Sequence, residues 1–153
     1  MIDKLLVANR GEIARRVFAT CRTLGVATVA VHSDADADAP FVADADQAVR
    51  LPGNTPAETY LRIDAVLDAA RRSGADAVHP GYGFLAENAE FAAAVTDAGL
   101  TWVGPSAKAI AAMGDKMAAK ALLADAGVPM LPTWTDPAEV TAFPVLVKAS
   151  AGG

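Results

Sequence analysis

Residues 4–32, KLLVANRGEIARRVFATCRTLGVATVAVH, decide the fold. Two β-like runs, Lys4–Ala8 and Ala27–His32, flank a segment whose apolar residues recur at helical spacing. These apolar positions are Ile13, Val17, Phe18, Cys21 and Leu24. Gly25 stands where a helix commonly ends, because glycine readily adopts the left-handed conformation of that position. The stretch therefore predicts one strand–helix–strand step of a parallel sheet.

The rest of the chain repeats this alternation of strand and helix. Further β-like runs cover Gln47–Leu51, Ala75–His79 and Thr101–Val103. A helix is expected after a capping box formed by Thr55 and Glu58, another over 87–98, and two after Gly104 that end before Gly127. The pattern predicts an α/β protein with a doubly wound, Rossmann-like parallel sheet.

A last strand is expected at Pro144–Lys148, followed by a glycine-rich end. A lone terminal strand has no partner, so we expect the sequence to be truncated there.

Composition excludes several classes of protein. The chain has 153 residues, 53% of them hydrophobic, and a net charge of −5 with scattered Lys and Arg, which argues against binding to nucleic acid or anionic membranes. One Cys and two His allow neither an internal disulfide nor a Cys/His zinc cluster. No apolar stretch approaches the roughly 18 residues that cross a bilayer. We expect a soluble, cytoplasmic protein without a signal peptide.

The most unusual stretch is His79–Phe84, HPGYGF, at the end of a predicted strand. Open α/β folds bind ligands at the carboxyl edge of the sheet, and glycines there let backbone N–H groups approach a ligand closely. The alternative is a tight turn in which Tyr82 and Phe84 pack as lids on the core. The spacing leaves both interpretations open.

Charged residues give weaker signals. Lys116 begins a helix, where a cation opposes the helix dipole, and Lys148 precedes a loop that suits phosphate. Asp34, Asp36 and Asp38 alternate as at the start of a calcium loop, but the Gly and Glu of that motif are missing, which favours a solvated acidic loop. The first turn, with Gly11 as its one glycine, lacks the dinucleotide fingerprint, and its neighbours Arg10 and Arg16 are interpreted as surface charges.

Four motifs together resemble the biotin carboxylase family. They are LVANRGEIA at 6–14, DAVHPGYGFLAEN at 76–88, MGDK at 113–116 and VKASAGG at 147–153. They occur in the family's order and span the whole chain. Within the family, the sequence looks most like the biotin carboxylase (alpha) subunit of a bacterial acyl-CoA carboxylase of fatty acid metabolism.

The resemblance implies a biotin carboxylase N-terminal domain at 1–113, followed at 114–153 by the beginning of an ATP-grasp domain. Family members use ATP, Mg²⁺ (or Mn²⁺) and bicarbonate to carboxylate biotin on a carrier domain. By position, the residues implied to contact ATP are Lys116, Lys148, Gly152 and Gly153. The residues implied to face biotin and bicarbonate are His79, Gly81, Tyr82, Gly83, Glu87 and Asn88.

The implied partners are a biotin carboxyl carrier domain, a carboxyltransferase (beta) subunit and further copies of the same chain. The family's metal-binding carboxylates, bicarbonate-binding arginine and catalytic base lie beyond Gly153. We therefore expect no catalytic and no metal-binding residue in this fragment, and no activity from it alone. Two alternatives are a non-catalytic α/β assembly module and another ATP-grasp ligase, of the carbamoyl phosphate or purine synthesis type.

Overall fold

The computed structural model describes residues 1–114 and 116–147, except for the side chains of 116–118. The described chain forms two compact units, Met1–Ala107 and a second unit that begins at Lys108. Among the described residues, no helix is both long enough and apolar enough to cross a bilayer.

The first unit is built on a parallel sheet of five strands in the order β3-β2-β1-β4-β5. The strands are β1 (Lys4–Val7), β2 (Ala27–His32), β3 (Gln47–Arg50), β4 (Ala77–His79) and β5 (Thr101–Trp102). The helices of this part of the chain are α1 (Gly11–Leu24), α2 (Pro40–Ala43), α3 (Ile63–Ser73), α4 (Ala89–Asp97) and the start of α5 (Ala107–Gly114). The predicted α/β fold with a parallel sheet is confirmed.

Alternate strand residues divide the core between the two faces of the sheet, since successive side chains of a strand point to opposite sides. On one face, Leu6, Val29 and Val78 pack with residues of α3 and α4, such as Val66 and Phe91. On the other face, buried residues of β1, β2 and β4 pack with Ala14, Phe18 and Cys21 of α1 and with Phe41 of α2. The expected core position of Cys21 is confirmed, and burial raises the pKa of its thiol.

Glycine positions predicted the ends of the helices better than the capping box predicted the start of one. Gly25 and Gly74 end α1 and α3 in the left-handed conformation. Leu24, expected on the apolar face of α1, is exposed because the chain turns away at Gly25. The Thr55–Glu58 box does form, with the carboxylate of Glu58 accepting from the backbone N–H of Thr55 at 2.9 Å. It opens a separate turn, however, and α3 begins only at Ile63.

In the second unit, α6 spans Lys116–Asp125 and a 3-10 turn covers Pro137–Glu139. The backbone N–H of Val128 donates to Leu123 O at 3.0 Å beyond the left-handed Gly127, so the predicted stop of α6 is confirmed. The strand predicted at Pro144–Lys148 is wrong over 144–147. A strand needs a neighbour for its backbone hydrogen bonds, and none lies alongside 144–147 within the described chain.

Candidate functional site

The candidate site is the point at which the strand order reverses. From β1 the chain continues to β2 and β3 on one side and returns to β4 and β5 on the other. The carboxyl ends of β1 and β4 therefore stand side by side, and open α/β sheets bind ligands at such a switch point. Two segments meet there, the β1–α1 turn and the His79–Asn88 loop.

Asn9, at the end of β1, anchors the His79–Asn88 loop. Its side-chain Nδ2 donates to Pro80 O at 2.8 Å and to Tyr82 O at 2.7 Å, while Oδ1 accepts from the N–H of Arg10 at 2.9 Å. Only 4% of Asn9 is exposed, so its amide has little water to replace these carbonyl groups. A β-carbon at Gly81 would lie 2.6 Å from Asn9 Nδ2. Glycine at 81 is therefore required by the close approach of the two segments.

His79 holds the start of the same loop. The backbone N–H of Gly81 donates to His79 Nδ1 at 2.9 Å. A backbone N–H can only donate, so Nδ1 is the unprotonated ring nitrogen and Nε2 carries the proton of the neutral ring. Burial lowers the pKa of His79, which agrees with this neutral tautomer.

Tyr82 and Gly83 form the open part of the loop. Tyr82 is 61% exposed, and its hydroxyl donates to the Glu12 carboxylate at 2.5 Å; this hydrogen bond raises the pKa of the phenol. Gly83 has φ +65°, and a β-carbon there would meet no atom within 4 Å. Together with residues 9–13, Tyr82, Gly83 and Phe84 line a shallow groove, which we call the switch-point groove.

Phe84 lines the groove and has an unusual backbone conformation. It is the one described residue other than glycine with positive φ, +43°. Its ring stacks on that of Tyr60 with centroids 5.0 Å apart and planes inclined by 10°. The guanidinium carbon of Arg10 lies 5.7 Å from the centroid of the Tyr60 ring and 5.8 Å from that of Phe84. Phe84 thus packs as a lid on the core, whereas Tyr82 is exposed, so the packing alternative is confirmed for Phe84 and wrong for Tyr82. Ligand binding by the loop stays a prediction.

A network of polar groups lies beneath these rings, centred on Asp36. The carboxylate accepts from the Tyr60 hydroxyl at 2.6 Å, from Ser33 Oγ at 2.9 Å and from Arg10 Nη1 at 3.1 Å. Burial pulls the pKa of Asp36 upward, but these hydrogen bonds outweigh it and leave the pKa below its ordinary value. Burial and the bond to Asp36 raise the pKa of Tyr60 to about 12, so the phenol remains a donor.

The predicted site residues divide into three groups. His79, Gly81, Tyr82 and Gly83 come together at the switch point. Glu87 lies exposed farther along the loop, and the Asn88 side chain caps α4 by accepting from the N–H of Phe91 at 2.8 Å. Lys116 is the first residue of α6, but its side chain, like Lys148, Gly152 and Gly153, lies outside the described residues.

The sequence interpretation missed the roles of Asn9, Arg10, Asp36 and Tyr60. The acidic loop is not merely solvated, because Asp36 is bonded as above and Asp34 pairs with Arg50 through two hydrogen bonds of 2.5 and 2.9 Å. Nor is Arg10 simply a surface charge. Within the described chain, no group of three or more His, Cys, Asp or Glu side chains could hold a metal ion. The sequence held no local signal for the network, because Arg10 and Tyr60 lie 26 and 24 positions from Asp36.

Comparisons with known proteins identify the family of the chain. Residues 1–110 match the family model of the biotin carboxylase N-terminal domain. The chain is 51% identical over 162 residues to the alpha3 subunit of the biotin-dependent acyl-coenzyme A carboxylase of Mycobacterium leprae, covering 99% of this chain. It is 45% identical over 163 residues to the biotin carboxylase of Halalkalibacterium halodurans, covering 100% of this chain.

A solved structure of Rhizobium etli pyruvate carboxylase superposes with a TM-score of 0.89 at 42% identity, over 99% of this chain and 15% of the other. The chain spans 27% of the length of the Mycobacterium relative and 36% of the Halalkalibacterium one. These comparisons establish that the chain belongs to the biotin carboxylase family and carries its N-terminal domain.

Proposed function

We propose that this chain is the N-terminal part of an ATP-dependent biotin carboxylase, a ligase that uses bicarbonate to carboxylate biotin on a carrier domain. This would be the first half-reaction of an acyl-CoA carboxylase. The observation that carries the proposal is the His79–Asn88 loop, which is anchored at the switch point by Asn9 yet keeps Tyr82 and Gly83 open. A loop whose backbone is fixed by Asn9 and whose residues Tyr82 and Gly83 stay accessible is preorganised to bind a small ligand.

The residues of the switch-point groove fit a compact ring with polar edges, such as the bicyclic head of biotin. The exposed Tyr82 ring offers an apolar face, and the missing β-carbon at Gly83 leaves its backbone accessible. The chain's own part in the reaction is to bind and orient. Asn9 fixes the backbone direction of the loop, and Glu12 fixes the hydroxyl of Tyr82.

The nucleotide side of the proposal rests on the family's motifs. We assign Lys116 and Lys148 to contacts with ATP phosphates, and Gly152 and Gly153 to backbone contacts above them. The nucleotide would bring Mg²⁺ or Mn²⁺, which would offset phosphate charge. The proposal places 1–113 in the N-terminal domain and 114–153 in the start of an ATP-grasp domain. It further includes a biotin carrier domain and a carboxyltransferase (beta) subunit as partners, self-association and a cytoplasmic location.

Gly83→Ala in the complete protein that carries this chain tests the proposal, with Gly74→Ala as a matched control. Both glycines have φ near +65°, at +65° and +66°, and neither β-carbon would meet an atom within 4 Å. Both variants should therefore lose the same stability, about 1–2 kcal/mol. Gly83 lines the groove, whereas Gly74 ends α3 away from it.

We expect Gly83→Ala to lower biotin carboxylation about tenfold or more, and biotin-independent ATP hydrolysis little. Gly74→Ala should leave both activities near those of the wild type. Equal losses in the two variants would assign the loop to the scaffold alone. A wild-type protein without biotin- and bicarbonate-dependent ATP hydrolysis would support the non-catalytic assembly module instead.

A further inference from the structure

We propose that Arg10 is a positioning residue that sets the conformation of the groove by holding the Phe84 ring in place. The role differs from that of Asn9. Asn9 bonds the backbone at the beginning of the His79–Asn88 loop, whereas Arg10 acts on a side chain in its middle. Arg10 is itself among the residues that line the groove, but the role proposed here is a positioning one, in which its effect reaches Tyr82 and Gly83 through Phe84.

Arg10 is connected to Phe84 by two routes. Its Nη1 donates to both oxygens of Asp36 at 3.1 Å. Asp36 in turn accepts from the hydroxyl of Tyr60, whose ring stacks on Phe84. The same guanidinium lies within 6 Å of both ring centroids, at the range where a cation is attracted to an aromatic face. Arg10 is thus linked to Phe84 directly and also through Asp36 and Tyr60.

Phe84 needs such support because of its backbone. A bulky residue with φ of +43° occupies a conformation that an unrestrained chain seldom adopts. The ring stack and the cation over it favour this conformation over the more common ones. Gly83 and Tyr82, which immediately precede Phe84, line the groove with it. A change in the backbone of Phe84 would consequently turn these two residues away from their present positions.

Arginine suits this position better than lysine. Its planar guanidinium can lie against aromatic rings while its N–H groups bond a carboxylate, whereas an ammonium group presents no flat face. The side chain of Arg10 is 47% exposed, so the attraction is partly screened. We therefore expect an effect on the loop and not on the whole fold.

The first test measures amide hydrogen exchange in Arg10→Ala and in the matched control Arg50→Ala. Arg50 also pairs with an aspartate after β2, but no described aromatic ring lies against its guanidinium. The reporters are the N–H of Ala86, bonded to Gly83 O at 2.9 Å, and the N–H of Val66 in α3. We expect Arg10→Ala to speed exchange at Ala86 about tenfold and at Val66 less than about twofold. Arg50→Ala should leave Ala86 unchanged.

Arg10→Lys should fall between the wild type and Arg10→Ala, since it keeps the ion pair with Asp36 and loses the planar stack. Phe84→Leu gives a second route should Arg10→Ala fail to fold, and it should show the same loop-selective increase. Equal increases at Ala86 and Val66, no increase at Ala86, or an equal effect of Arg50→Ala would overturn the proposal.

The second test, which rests on the proposed function, uses the complete protein. Arg10→Ala should raise the KM for biotin about tenfold and change biotin-independent ATP hydrolysis less than about twofold. An unchanged KM beside faster exchange at Ala86 would overturn the link to the groove. If the wild type proves inactive on biotin, the proposed function fails while the exchange data still decide whether Arg10 positions the loop.

Discussion

Gly81→Ala gives the sharpest test of the way the switch point is assembled. The substitution has two separable costs. The φ of +67° disfavours any residue with a β-carbon by about 1–2 kcal/mol. The new carbon would also lie 2.6 Å from Nδ2 of Asn9, so that side chain must move.

Moving Asn9 breaks its bonds of 2.8 and 2.7 Å to the carbonyl groups of Pro80 and Tyr82. Each is worth about 0.5–1.5 kcal/mol, and with the backbone cost the loss should be roughly 2–5 kcal/mol. Gly83→Ala has a nearly equal φ and an open β-carbon position, so it should lose only about 1–2 kcal/mol.

Urea denaturation of the two variants and of the wild type measures these losses as differences in the free energy of unfolding. Repeating Gly81→Ala in an Asn9→Gly background removes the amide and also the β-carbon of residue 9, which would lie 3.0 Å from the new carbon. In an Asn9→Ala background only the amide is removed, so the added cost of the glycine substitution should fall partly there and to about 1–2 kcal/mol in the Asn9→Gly background. Equal losses for Gly81→Ala and Gly83→Ala would refute the reasoning, as would an unchanged cost in the Asn9→Ala background.

Two further predictions concern the groups around the groove. Burial lowers the pKa of His79, so the unfolded chain takes up a proton first as the pH falls below about 6.5. The free energy of unfolding should therefore fall below that pH, and it should fall more in the wild type than in His79→Gln. An equal decrease in the two proteins between pH 7.5 and 5.5 would contradict this. Tyr60 is 2% exposed and its hydroxyl accepts from the N–H of Ser33 at 3.0 Å, so Tyr60→Phe should cost about 1–3 kcal/mol. Tyr82 is exposed, so Tyr82→Phe should change the free energy of unfolding by about 0.5 kcal/mol or less. Equal urea midpoints for the two Phe variants would contradict this difference between a buried and an exposed tyrosine hydroxyl.

Periodicity and glycine positions were enough to predict the sheet. All five β-like runs form strands. Short apolar runs indicate buried strands, and the segments between them, with apolar residues at helical spacing, indicate the helices that cover the sheet. The capping box at Thr55 and Glu58 formed but did not begin a helix. A local motif cannot show that Tyr60, a few residues later, is held by Asp36 across the fold.

The site was predictable only in part, for a related reason. The His79–Asn88 loop was visible in the sequence because its glycines and aromatic residues are adjacent. The groups that hold it are not adjacent to it. Asn9 lies 71 positions before Pro80, and Arg10 lies 26 before Asp36, so spacing in the sequence gave no indication of either contact.

The bonds of Asn9 also set the order in which the groove can be completed as the chain folds. The strand–helix–strand unit of β1, α1 and β2 needs only the first 32 residues, whereas Asn9 has nothing to hold until Pro80 and Tyr82 have been synthesised and β4 has joined the sheet. Contacts of such high contact order close a long loop and form late. We therefore expect pulse-labelled refolding to protect the amide of Leu6 before that of Ala86, so that the His79–Asn88 loop becomes ordered only after the sheet that holds it has been assembled.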